Sequence, residues 1–64
     1  MSEPLRVLLI DDHPLFRRGL AQLIEDEADL EVCGEAGSAP EGLEAARELA
    51  PDVVLVDLSL GEGS

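Results

Sequence analysis

Apolar residues along this chain follow two rhythms that alternate. Val7-Leu8-Leu9-Ile10 and Val53-Val54-Leu55-Val56 are continuous apolar runs rich in branched side chains. Such runs suit strands covered on both faces, the habit of parallel sheets. Leu30-Glu31-Val32-Cys33-Gly34-Glu35-Ala36 alternates instead, which suits an edge or half-exposed strand. Between the first two runs, Phe16, Leu20, Leu23 and Ile24 recur at i, i+4, i+7 and i+8, one face of a helix. Pro14 fits its first position, where the missing N–H costs nothing, while Gly19 weakens the helix slightly. Between the second and third runs, Ser38-Ala39-Pro40-Glu41 reads as a capping box. Leu43, Ala46 and Ala50 then share a face, and Pro51 stops the helix.

The order β-α-β-α-β predicts a parallel α/β sheet. Right-handed crossovers put one helix on each face if the strand order is 2-1-3. The alternating second strand then takes an outer edge, as its composition asks. The third strand is the misfit: an apolar run with no following segment to cover its outer side reads as a fold continued elsewhere.

Composition narrows the functional classes. The chain has 64 residues, 15 Asp+Glu against four Arg, no Lys, and a formal charge of −11. Such a surface repels phosphate backbones and anionic lipid, so this segment is not itself a nucleic-acid or membrane binder. Its 45% hydrophobic content excludes compositional disorder, although a domain this short has marginal stability. The single Cys33 permits no internal disulfide and gives no sign of an oxidising compartment. No segment reaches the roughly 20 apolar residues of a membrane span, so a cytoplasmic location is expected. Glu25-Asp26-Glu27-Ala28-Asp29 reads as a solvated connection.

In parallel α/β sheets ligands bind beyond the carboxyl ends of the strands, where strand order reverses. Here that point lies between the first and third strands, whose ends carry Asp11-Asp12 and Asp57. An Asp pair after a strand is commonly a turn or capping device, and a lone strand-end Asp is ordinary. Three together at the switch point instead suggest a cation among them. Hard oxygen donors in small number suit Mg²⁺, which keeps several waters and often holds a substrate phosphate. With the acidic field offset, one aspartate is able to attack a phosphoryl group.

The segment from Val7 to Leu20, VLLIDDHPLFRRGL, resembles the opening of a two-component response-regulator receiver domain of the NarL/FixJ type. Gly34-Glu35-Ala36 with Glu41-Gly42-Leu43 resembles that group's second strand and helix, and Pro51 to Leu58 its third strand. The resemblance covers almost the whole chain. It implies a flavodoxin-like (CheY-like) fold and reads residues 1–64 as the N-terminal part of a receiver. The rest of the receiver and a LuxR-type helix-turn-helix DNA-binding domain are expected beyond Ser64.

By position, the resemblance makes Asp57 the phosphoacceptor and a Mg²⁺ ligand. Asp12 becomes a direct ligand, Asp11 one acting mainly through water, and Ser59 the donor of a backbone carbonyl. A sensor histidine kinase becomes the partner, homodimerisation is admitted, and DNA is reached only through the C-terminal domain. The chain is then no turnover enzyme but a phosphoacceptor assisting its own modification. The hydroxyl, aromatic switch and Lys of the family's later strands fall outside these residues, and the usual proline in the loop after the phosphoacceptor is absent, with Gly61 near its place. Bland roles are expected for His13, Arg17, Arg18 and Cys33: three solvated residues and one small apolar residue.

Two other readings compete. A receiver-like module that only dimerises or binds a partner would leave the aspartates vestigial, which the joint presence of Asp11, Asp12 and Asp57 disfavours. A metal-dependent phosphatase with an Asp nucleophile would place its aspartates in alternation, whereas Asp11 and Asp12 are adjacent.

Overall fold

The computed structural model describes residues 3–58. Five elements follow in order: β1 (Leu5–Asp11), α1 (Pro14–Glu25), β2 (Leu30–Ala36), α2 (Ala39–Leu49) and β3 (Val53–Asp57). The strands form one parallel sheet in the order β2-β1-β3, as the crossover argument requires. Ser59, expected to offer a backbone carbonyl to a cation, lies outside the described residues.

β1 is central, and Val7 to Asp11 are all buried. Its side chains alternate between the two sheet faces. Leu8 and Ile10 join Ala36 in a cluster against Ala45, Ala46 and Leu49 of α2. Leu9 faces the other way, in register with Glu35, which meets Arg17 of α1. The two helices therefore lie on opposite faces.

Local chemistry fixes each helix end. Pro14 opens α1 from the extended residue His13. At α2, Ser38 Oγ accepts from the Glu41 N–H at 3.3 Å, and Glu41 Oε1 accepts from the Gly37 N–H at 3.1 Å. The reciprocal cap thus reaches one residue further back than the usual box. The helix ends at Leu49, and Ala50 turns left-handed with φ 46° before Pro51. Arg6 Nη1 donates to the carbonyls of Leu49 and Ala50 at 2.6 and 3.0 Å, a cation placed where the helix dipole is negative.

Close approach of α2 to the sheet runs over two glycines, and it is Gly42 that it depends on. A Cβ on Gly42 would overlap Ile10, lying within contact distance of Cδ1 and 2.8 Å from Cγ1. A Cβ on Gly34 would lie 2.5 Å from Leu49 Cδ1. Gly34 also borders a β-bulge. Val7 pairs with Val32 but Leu8 with Gly34, so Cys33 is an extra residue, and its side chain packs beside Leu8 and Ile10. This agrees with a small, partly buried apolar role for Cys33.

Both helix faces read from the sequence are only half covered. Leu20 and Ile24 are partly buried, while Phe16 and Leu23 stay exposed, because α1 lies over β1 and β2 and its outer side overhangs them. Leu43 is likewise exposed, on the rim of an open apolar groove between α2 and β3. All five residues of β3 are exposed, and its outer edge has no strand beside it among the described residues.

Candidate functional site

The carboxyl ends of β1 and β3 meet where strand order reverses, since Asp11 and Asp57 are partners in the β1–β3 register. Parallel partners point to the same sheet face, so the two carboxylates stand side by side on neighbouring strands. Their surroundings differ sharply. Asp11 is 1% exposed, whereas Asp57 is open to solvent. Asp12, first in the turn towards α1, is also exposed.

The turn folds back on the buried carboxylate. Asp11 Oδ1 accepts from the His13 backbone N–H at 2.8 Å. Asp11 Oδ2 is buried, with no hydrogen-bond partner among the described residues. An anionic oxygen in that state is costly unless a cation reaches it. The acidic donor set therefore fits a hard divalent cation, with one oxygen of its buried member left for the metal. Ligand atoms of Asp11, Asp12 and His13 lie within 4.8 Å of one another. Asp57 adjoins this group through the strand register and is not among its three members.

Two residues expected to be bystanders are drawn into the site. The His13 ring is 59% exposed, which agrees with a solvated helix start, yet its Nδ1 lies 3.0 Å from Asp12 Oδ1. Arg17 departs further from expectation. Its side chain is only 22% exposed, with Nε donating to Glu35 Oε1 at 3.0 Å and Nη1 to the Asp11 carbonyl at 2.8 Å. Position four of α1 points back over the strand ends, so Arg17 ties β1 to β2 beneath the acidic turn. The sequence carries no signal that separates it from its identical neighbour Arg18; only direction around α1 differs. Arg18, one step round the helix, is exposed as expected.

An open parallel α/β sheet with an acidic cluster at its topological switch point defines a class of phosphate- and metal-handling domains. The sequence matches the response regulator receiver domain family over residues 7–64, and the chain belongs to that family. It is 48% identical over 59 residues to the nitrate/nitrite response regulator protein NarL of Escherichia coli K12, covering 92% of this chain and 27% of that protein. The transcriptional regulatory protein LiaR of Bacillus subtilis is 56% identical over 54 residues, or 84% of this chain and 26% of that protein. A nitrate/nitrite response regulator homologue of Haemophilus influenzae is 47% identical over 60 residues, covering 94% of this chain and 29% of its own length. The chain thus spans little more than a quarter of the curated relatives it matches. No helix among the described residues is long and apolar enough to cross a membrane.

Proposed function

We propose that this chain is the phosphoacceptor part of a two-component response regulator of the NarL type. Asp57 is the nucleophile, and the donor is a phosphohistidine on a sensor histidine kinase. One oxygen of the Asp57 carboxylate attacks phosphorus in line, the new P–O bond forms as the P–N bond breaks, and the histidine nitrogen leaves with its electron pair. What most supports the reading is the pairing of solvent-open Asp57 with buried Asp11 at the switch point. A nucleophile needs access to its donor, whereas a ligand benefits from burial.

Asp11, Asp12, Asp57 and the Ser59 carbonyl would hold Mg²⁺, which supplies positive charge against the phosphoryl oxygens when bound. Arg17 holds the end of β1 through the Asp11 carbonyl, keeping the acidic turn in place. The protein consumes a phosphoryl group once per cycle and is not a turnover enzyme. In the natural protein, phosphorylation regulates transcription through a DNA-binding domain outside these residues, in the cytoplasm.

The test is labelling of the natural full-length protein by a small phosphodonor with and without Mg²⁺. Asp57→Asn should abolish acyl-phosphate formation with little change in fold, because an amide has no attacking carboxylate oxygen. Asp12→Asn should first raise the Mg²⁺ concentration required. Labelling of Asp57→Asn at the wild-type rate would assign the nucleophile elsewhere.

A further inference from the structure

We propose that His13 Nδ1 joins the oxygen ligands named above as a further protein ligand, beside Asp11 and Asp12, and that the site takes a first-row transition dication more tightly than Mg²⁺. The inference deepens the metal reading above and rests on Asp11 and Asp12 being its acidic ligands. Three observations carry it. The carboxylate of Asp11 is 1% exposed, and its buried Oδ2 has no hydrogen-bond partner among the described residues. His13 Nδ1 lies 3.0 Å from Asp12 Oδ1 and 3.8 Å from Asp11 Oδ1. All three ligand atoms fall within 4.8 Å of one another.

These spacings suit one shared cation. With metal–ligand bonds of about 2.0–2.2 Å, neighbouring donors stand about 3.0–3.5 Å apart in octahedral or tetrahedral shells. Small adjustments of two exposed side chains bring the set to that separation. Backbone chemistry aims the ring. His13 is the extended residue before α1, and its side chain makes no capping bond to the helix. Its N–H is fixed instead on Asp11 Oδ1 at 2.8 Å, which holds the residue against the buried carboxylate. The outward side of the ring remains in water, and Asp12 and Asp57 are exposed as well.

The donor set then decides the metal. Mg²⁺ takes oxygen ligands and gains little from an imidazole. Affinity of a mixed nitrogen and oxygen site rises along the series from Mn²⁺ through Co²⁺ and Ni²⁺. An imidazole beside two carboxylates therefore shifts preference away from Mg²⁺.

Calorimetric titration of the natural full-length protein with Co²⁺ alone and with Mg²⁺ alone tests this. Wild type should bind Co²⁺ at least about tenfold more tightly than Mg²⁺. His13→Ala should lose about 10–100-fold in Co²⁺ affinity, the scale on which metal sites respond to a lost supporting group, with Mg²⁺ affinity nearly unchanged. Independently, the Co²⁺-loaded wild type should give a hyperfine-shifted, exchangeable imidazole N–H proton resonance that His13→Ala lacks. Equal losses for both cations would make His13 an orienting partner of Asp12 and overturn the proposal, as would unchanged Co²⁺ affinity or a resonance that survives in the variant. Co²⁺ binding that depends on His13, with no Mg²⁺ binding, supports the proposal while refuting the Mg²⁺ role above. Failure of wild type to bind either cation overturns both.

Discussion

Replacing Gly19 and Gly42 by alanine, one at a time, makes the same chemical change in two helices and should move stability in opposite directions. Alanine gains about 0.8–1 kcal/mol over glycine in a helix interior. At Gly19 an added Cβ meets nothing within 4 Å among the described residues, so that gain should appear almost whole. At Gly42 the Cβ overlaps Ile10, 2.8 Å from Cγ1 and 3.2 Å from Cγ2. A terminal methyl is able to swing aside, but Cγ1 and Cγ2 sit directly on the Cβ of a branched side chain with a stiff χ1. Ile10 is also fixed in the central strand between Ala36 and Val56. Either Ile10 leaves its rotamer or α2 lifts from the sheet, and overpacking of that kind costs about 1–3 kcal/mol. Set against the helical gain, the expected net loss is up to about 2 kcal/mol. Urea unfolding followed by far-UV circular dichroism measures both variants. With a slope of about 1 kcal/mol/M, the midpoint should rise about 0.8–1 M for Gly19→Ala and fall by up to about 2 M for Gly42→Ala. A Gly42→Ala protein as stabilised as Gly19→Ala would refute the claim that α2 is seated on Ile10.

Ala50→Gly should stabilise the protein by about 0.5–1 kcal/mol, since relief of a left-handed alanine outweighs the entropy glycine adds to the unfolded chain; the same denaturation assay reads it. Ser38→Ala should cost about 1 kcal/mol by removing the acceptor for the Glu41 N–H, whereas Ser38→Asp should keep most of that stability. In hydrogen exchange on the 64-residue chain, amides of Val53–Val56 should exchange well before those of Leu8 and Leu9, because β3 is exposed throughout and β1 is buried between two strands. Equal protection of the two strands would mean that β3 is covered in solution.

The strands and the sheet order were legible because continuous runs at Val7–Ile10 and Val53–Val56 leave few partners, and handedness then leaves one arrangement. The location of Asp11, Asp12 and Asp57 followed from the same topology. Side-chain direction did not. Arg17 has the same composition signal as exposed Arg18, and only the tilt of α1 over the strand ends separates them. Ala50 adopts a backbone conformation against its own preference, stabilised by the Arg6 bonds to the carbonyls around it. The bulge at Cys33 was hidden because alternation alone does not reveal a repeated facing direction.

That bulge gives β2 a place where its length is negotiable. Val32 and Glu35 both face α1, although they are three residues apart and simple alternation would oppose them. Cys33 and Gly34 together stand opposite Leu8, so residue 33 is slack in the strand. A chain lacking that one residue would run straight from Val32 to Gly34, with Glu35 still beneath Arg17 and Ala36 still beside Ile10. It would lose one small packing side chain and keep its frame. An added residue at the same point has no such reserve, and would turn Glu35 into the apolar layer under α2 or push the strand end away from the acidic turn. Changes of length in this strand are thus tolerated in one direction only.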